Sequence, residues 1–311
     1  MRNWEGENQL GVEGMIKRSR KPAVSVIIPT YNRGWILREA VDSVLVQDFD
    51  DFELIVVDDG STDNTREILE AYHTDIIVLS QTNRGVSAAR NLGIARACAP
   101  LIAFLDSDDL WKPQKLSRQI DFFKSEPDAL ICQTEEIWIR NGERVNPKKR
   151  HLKFSGMIFK HCLGLCLVSP SAVMVRRELF DRVGLFDESL PACEDYELWL
   201  RVSCRYPVHL IDEPLIIKRG GHADQLSKAA GLDRYRIAAI KKNLDSGKLS
   251  ESQTRAAVRT LKEKCMIYAG GCRKRGREKE AQYYEDLAAK YEMAADNESG
   301  SRNIKRTQST Q

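Results

Sequence analysis

The feature that most constrains the fold is a rhythm repeated through the first 105 residues. Near-continuous apolar runs at Val24–Pro29, Phe52–Val57, Ile76–Leu79 and Leu101–Leu105 alternate with stretches of helical spacing. Apolar runs without polar alternation belong to strands covered on both faces, and such strands are usually parallel. Between them, Ile36, Leu37, Ala40, Val41 and Val44 mark one helix, Asp63 caps a second through Tyr72, and Val86–Ala97 forms a third. This alternation predicts an α/β fold: a Rossmann-like, mainly parallel sheet flanked by helices. Beyond residue 125 the pattern loosens into strands near Ala129–Ile139, Ala172–Val175 and Val208–Ile211 and a helix over Glu194–Cys204. Leu232 to Met293 reads as helical, punctuated at Ser246-Gly247, near Gly270-Gly271 and at Gly276. The expected organisation is a flexible tail at 1–21, an α/β domain at 22–228, a C-terminal helical appendage at 229–295 and a disordered polar tail at 296–311.

The fourth run ends in Asp106-Ser107-Asp108-Asp109. Three carboxylates in four positions cannot be buried without counter-charge, because each unpaired ion in a low dielectric costs several kcal/mol. They belong in the crevice at the strand's C-terminal end, where open α/β sheets bind ligands. Mg²⁺ or Mn²⁺ is the natural partner, since these hard cations take one or two carboxylates and complete their shell with substrate phosphate. Helix capping ahead of Lys112-Pro113 would account for only one of the three.

Other segments offer chemistry with a plainer alternative beside each. Asp58-Asp59-Gly60-Ser61 ends the second strand: Asp58 suits an Asx-turn, and Asp59 could accept from a nucleobase or ribose. Asn83-Arg84-Gly85 opens a helix whose small residues 87–89 permit close approach to its free N–H groups, with Arg90 one turn in. A surface helix has the same composition. Glu194, Asp195 and Glu197 open another helix, where carboxylates compensate the dipole and where one of them could serve as a base. Lys218-Arg219-Gly220-Gly221-His222 ends a strand with the backbone freedom to turn His222 toward a cation.

Pro29-Thr30-Tyr31-Asn32, Val57 through Asp63, Gly85 through Asn91, Asp106 through Asp109 and Glu194-Asp195, in this order, resemble the family 2 glycosyltransferases of GT-A fold. The likeness covers about residues 22–225 and leaves the C-terminal helices outside. It implies an inverting, metal-dependent transferase that moves a sugar from a nucleotide-diphosphate sugar to a glycan or lipid-linked acceptor in surface polysaccharide biosynthesis. By the same resemblance, Thr30, Tyr31 and Asp59 hold the nucleoside, Arg90 sits near the diphosphate, Asp106 and Asp108 form the Asp-x-Asp motif with Asp108 the direct metal ligand, Asp195 is the base, and His222 contacts metal or phosphate. UDP, GDP and dTDP donors are not distinguished. A non-catalytic binding protein on the same fold is the alternative. A nucleotidyltransferase ranks below it, since Pro29–Arg33 lacks a glycine-rich, lysine-bearing loop.

Composition bounds the rest. With 42% hydrophobic and 30% charged residues in 311, the chain is an ordinary globular protein without a bilayer-spanning run, expected in the cytoplasm. Eight cysteines without a Cys-x-x-Cys pair read as reduced, mostly buried apolar groups; His161-Cys162 with Cys166 supplies too few ligands for a metal site. From residue 229 onward 18 Lys and Arg face 11 Asp and Glu, leaving 30 against 34 before it. Solvated helix faces explain such an excess, and Arg273-Lys274-Arg275 with Arg277 also offers a peripheral contact with an anionic membrane at its inner face. No nucleic-acid partner is expected.

Overall fold

The computed structural model describes residues 21–72, 74–221, 225 and 231–308, with side chains described through Ala295. The elements follow in order as β1 (Val24–Thr30), α1 (Leu37–Leu45), β2 (Phe52–Asp58), α2 (Thr65–Glu70), β3 (Ile77–Ser80), α3 (Val86–Arg96), β4 (Leu101–Phe104), β5 (Leu110–Trp111) and α4 (Lys115–Ser125). They continue as β6 (Ile131–Arg140), β7 (Glu143–Val145), α5 (Phe159–Cys162), β8 (Val173–Arg176), α6 (Glu178–Val183), α7 (Glu194–Ser203), β9 (His209–Gly220), α8 (Leu232–Asp245), α9 (Glu251–Arg273) and α10 (Glu278–Gln308). The sheet runs β3-β2-β1-β4-β8-β6-β9-β5, with β7 hairpinned onto β6.

The four leading strands are parallel, as their apolar runs require, and β1 and β4 are completely covered on both faces. Val24, Val26 and Ile28 of β1 face α1, α2 and α4, while Ile27, Ile55, Ile102 and Phe104 face α3, α7 and the C-terminal helices. Gly93 lets α3 approach β1 closely: a Cβ there would lie 2.5 Å from Ile27 Cγ2. After β4 the sheet turns mixed, because β8 pairs antiparallel with both β4 and β6.

The strand β9 is longer than the expected Val208–Ile211 and pairs parallel with β6 along its length. Their register slips at Thr134, Glu135 and Glu136, opposite Pro214, which has no N–H for the ladder. The antiparallel pairing of β5 with Ile216 and Ile217 places the Asp106–Asp109 turn beside the end of β9.

The C-terminal helical region shares its core with the α/β domain. Ile237, Ile240, Leu261, Cys265 and Tyr268 belong to the same core cluster as Tyr196 and Trp199 of α7. Lys264 Nζ donates to the Gly164 carbonyl at 3.2 Å, and Gln253 Nε2 to that of Cys204 at 2.9 Å. Gly270-Gly271 lies within α9, and the break falls at Gly276, whose φ is +70°. The helix α10 runs to Gln308, through residues expected in the polar tail, whereas the tail at 1–20 lies outside the described residues.

The first residue of α4 is a lysine buried in the core. Lys115 is fully covered, its Nζ 2.6 Å from Gln119 Oε1 and 3.7 Å from the centre of the Trp111 ring. Burial pushes its pKa down to about 7. The unfolded chain keeps this proton to about pH 10.4, so the folded state is disfavoured by an amount that is constant below pH 7 and fades as pH rises. Relative to Lys115→Met, the wild-type protein should therefore gain stability from pH 7 toward 10, by up to about 1.4 kcal/mol per pH unit. Urea denaturation of both proteins across that range measures it; parallel curves would contradict the buried titration.

Candidate active site

At the C-terminal edge of the parallel strands, three stretches of loop meet. Thr30 ends β1 and Asp58 ends β2 in register with it, and the Thr30 carbonyl accepts the Asp59 N–H at 2.9 Å. Asp58 Oδ1 accepts the Ser61 N–H at 3.0 Å, the expected Asx-turn. Gly60 makes the turn possible at φ +79°, since a Cβ there would lie 2.8 Å from the Asn83 nitrogen. Asn32, also left-handed, donates its N–H to Ser61 Oγ and accepts the Thr62 N–H on its side-chain Oδ1.

Asp59 is buried, and its carboxylate ties the second loop to the first. Oδ1 accepts from Gln81 Nε2 at 2.6 Å and the Arg84 N–H at 2.8 Å, and Oδ2 accepts the Gly85 N–H at 2.8 Å. It thus positions the N-terminus of α3. Thr30 Oγ1 beside it, and Ser87 Oγ in the first turn of α3, are buried hydroxyls without a partner among the described residues. Nothing lies within 4 Å of the position a Cβ would take at Gly85. Tyr31 is partly exposed next to Thr30. The residues expected around a nucleoside are therefore neighbours, with hydrogen-bonding capacity to spare at Thr30.

Arg90, the residue expected near the diphosphate, clamps the acidic pocket with its guanidinium. It is buried, donating from one nitrogen to Asp106 Oδ1 and from another to Glu194 Oε1, each at 2.7 Å, and it lies 5.1 Å from the Phe186 ring centre. Burial opposes its charge, but Asp106 and Glu194 outweigh burial and push its pKa up. Burial, then the adjacent Asp195 carboxylate, push Glu194 up against the pull of Arg90. Two acidic segments 88 residues apart in the chain are joined by this side chain.

The three carboxylates that open α7 divide their roles. Glu194 takes Arg90, and fully buried Glu197 takes Arg201 at 2.7 Å and Lys242 at 3.0 Å. Asp195, partly exposed, keeps Cys166 Sγ at 3.5 Å from Oδ2 and its neighbour's Tyr196 N–H at 2.6 Å from Oδ1. Cys193, just before, adopts a left-handed backbone at φ 63°, a sparsely populated conformation that sets how α7 enters the pocket.

The Asp106–Asp109 turn divides likewise. Asp109 is buried, accepting from Ser171 Oγ at 2.7 Å and the Arg219 N–H at 2.9 Å. Burial, and next the Asp108 carboxylate, push it well above the ordinary range. Asp106 and Asp108 remain partly open. Lys218 lies among these acids, with Nζ 3.2 Å from Ser169 Oγ. Burial works against its charge, but Glu136, Asp109, Asp106 and Asp195 together push its pKa up, so the pocket contains a fixed cation.

Sequence reasoning passed over Lys218, Ser169 and Ser171; the available signal was a lysine in the strand directly facing the acidic turn. His222 lies outside the described residues. Among the described residues no group of three or more His, Cys, Asp or Glu gathers to hold a metal alone. Asp106 and Asp108 are the partly open pair of the turn, and a hard divalent cation takes one or two carboxylates and completes its shell with phosphate. Cys162 is buried and His161 stacks on Phe154, so the His161, Cys162 and Cys166 group does not converge.

Residues 25–184 match the family described as Glycosyl transferase family 2, and the chain belongs to that family. It is 35% identical over 217 residues to the uncharacterized glycosyltransferase RP339 of Rickettsia prowazekii, covering 67% of each chain. It is 33% identical over 184 residues to WfgD of Escherichia coli, a UDP-Glc:alpha-D-GlcNAc-diphosphoundecaprenol beta-1,3-glucosyltransferase, covering 58% of this chain and 69% of that one. Against a longer relative from Rickettsia felis, the matched region spans 35% of that protein's length. S. aureus TarS in complex with UDP-GlcNAc shares the fold at a TM-score of 0.67 and 21% identity, over 85% of this chain and 79% of that one. The mannosyltransferase PcManGT from Pyrobaculum calidifontis, in complex with GDP-Man and Mn²⁺, does so at 0.53 and 18%, over 89% and 87%. The GT-A architecture expected for the sheet is thereby established.

Removing the clamp tests the site. Arg90→Met strands the buried Glu194 carboxylate and the partly open Asp106 and should cost about 3–5 kcal/mol. Arg90→Lys keeps the charge but not the two-armed donor geometry, so it should fold and lose most activity. Urea midpoints together with turnover read both effects; an unchanged midpoint for Arg90→Met would show that the bridge holds nothing.

Proposed function

We propose that the protein is an inverting glycosyltransferase that moves a sugar from a nucleotide-diphosphate sugar to a hydroxyl of a lipid-linked or growing glycan, in surface polysaccharide biosynthesis. The observation that carries this reading is the Arg90 bridge, which brings the Asp106–Asp109 turn and the start of α7 to one pocket. The nucleotide sugars bound by TarS and PcManGT, and the diphosphoundecaprenol-linked acceptor of WfgD, support the substrate classes.

In this mechanism Thr30, Tyr31 and the loop secured by Asp59 receive the nucleoside. Asp106 and Asp108 would hold a divalent cation, whose chemistry when bound is to neutralise charge on the departing diphosphate. His222 is kept as a candidate further contact to metal or phosphate. Lys218 supplies fixed positive charge in the same pocket. Asp195 accepts the proton of the acceptor hydroxyl as that oxygen bonds to the anomeric carbon and the bond to the diphosphate breaks. A base so positioned contributes about 10²–10⁴-fold. The Arg90 bridge holds Glu194, and with it the first turn of α7 that carries Asp195, while Cys166 contacts Asp195 from the α5 side.

Among the described residues no helix is long and apolar enough to cross a membrane.

Screening nucleotide sugars for nucleoside diphosphate release in the presence of Mn²⁺ tests the reading; a folded protein that binds donor but never turns it over would support a purely binding role. Asp195→Asn should lower kcat by about 10²–10⁴ while donor affinity stays within about twofold. Loss of donor affinity in equal measure would make Asp195 structural. Asp108→Ala should abolish the Mn²⁺-dependent part of donor binding in titration calorimetry, and retention of that dependence would exclude Asp108 as a ligand.

A further inference from the structure

We propose that residues 140–161, at the rim of the acidic pocket, dock the enzyme on an anionic lipid bilayer. The β6–β7 hairpin turns through Asn141-Gly142, both at positive φ, and leads into a segment rich in one charge. Residues 140–161 contain seven Lys and Arg against the single acid Glu143. Arg140, Arg144, Lys148, Lys149, Arg150 and Lys160 are exposed, and among the described residues none of them pairs with a carboxylate.

The placement of side chains within this segment inverts the usual order for a surface facing water. Lys153 turns inward, its Nζ 3.1 Å from buried Glu136 Oε2 and 2.9 Å from the Thr134 carbonyl. Its neighbours Leu152 and Phe154 point out, 55% and 36% exposed, and Met157 follows at 57%. An extended chain that buries its lysine must expose the residues on either side. Phe154 is braced by stacking on His161 at 4.1 Å. A basic surface studded with apolar side chains has the composition of an interfacial membrane contact, in which cations meet anionic headgroups and apolar tips enter the acyl boundary. A soluble polyanion would use the cations and leave the three apolar groups without a role.

The segment also adjoins the chemistry. His151 packs against Trp138 with ring centres 4.9 Å apart, and Lys218 Nζ, which interacts with Asp106 and Asp195, lies 6.0 Å from the same ring. From this segment the chain enters α5 and reaches Cys166, in contact with Asp195. A bilayer here would present a lipid-linked hydroxyl on the side of the base, which rests on the acceptor class proposed above. The C-terminal cluster expected to make the membrane contact is less suited: Arg273 pairs with Glu285 and Glu278, and Arg277 with Glu280.

Co-sedimentation of the full chain with phosphatidylcholine vesicles, with and without about one third phosphatidylglycerol, tests the surface at moderate salt. The wild type should pellet with anionic vesicles only. The charge-reversed variant Lys148→Glu/Lys149→Glu/Arg150→Glu and the variant Leu152→Ser/Phe154→Ser should each lose about tenfold or more in vesicle affinity, whereas Arg273→Glu/Arg275→Glu should not. Release of nucleoside diphosphate in solution should be unchanged in both segment variants, showing an intact pocket. Failure of the wild type to pellet, or full binding by the charge-reversed variant, would overturn the proposal. Full vesicle binding by Leu152→Ser/Phe154→Ser, with equal capture of the wild type by single-stranded RNA, would make this a general polyanion surface and also overturn it. Absence of donor turnover alongside normal, segment-dependent vesicle binding would instead remove the transferase reading and leave the docking surface standing.

Discussion

The site depends on one buried guanidinium. An α/β sheet gathers its loops at one edge, but nothing in strand pairing requires the turn after β4 and the first turn of α7 to stay together, and both are acidic. Arg90 makes their proximity favourable by offering separate nitrogens to Asp106 and Glu194 in a place where water cannot. Its own position is fixed from two sides. Asp59 holds the backbone at Arg84 and Gly85, where α3 begins, and Gly93 lets the same helix settle against Ile27 of β1. The clamp is therefore an extension of the parallel core rather than an addition to it.

This arrangement separates buried, paired carboxylates from partly open ones. Glu194, Glu197 and Asp109 are buried and each is satisfied by a named partner, whereas Asp106, Asp108 and Asp195 retain access to the pocket. Excess negative charge is held in check by Lys218, which reaches the pocket from β9 because β5 pairs antiparallel with that strand. The frame of the site is paired internally through Arg90, Ser171 and the Arg219 N–H.

Much of this was legible in the chain. Continuous apolar runs identify the parallel strands because burial on both faces leaves no polar alternation, and the abrupt Asp106–Asp109 turn marks the ligand edge. What could not be read are pairings between distant segments. Three acids at the start of α7 look alike in sequence, and only the positions of Arg90, Arg201 and Lys242 distinguish them. Asp59 looks like a residue waiting for a base, yet Gln81, Arg84 and Gly85 already occupy much of its carboxylate. The C-terminal helices are legible from their local apolar stripes, but their partners on α7 lie across the core and are not. Within the basic excess after residue 229, the pairing of Arg273 and Arg277 with glutamates of α10 is likewise invisible in the sequence.

The central claim is that acidic groups from β4–β5 and α7 frame a single pocket for a cation and an activated sugar. An anomalous difference map from crystals grown with Mn²⁺ and a nucleoside diphosphate measures it most directly. The account predicts one manganese peak bonded to Asp108 and to diphosphate oxygens, with Asp195 facing the open side and the Arg90 bridge intact. A diphosphate bound away from Asp108, or manganese held by carboxylates elsewhere on the surface, would contradict it.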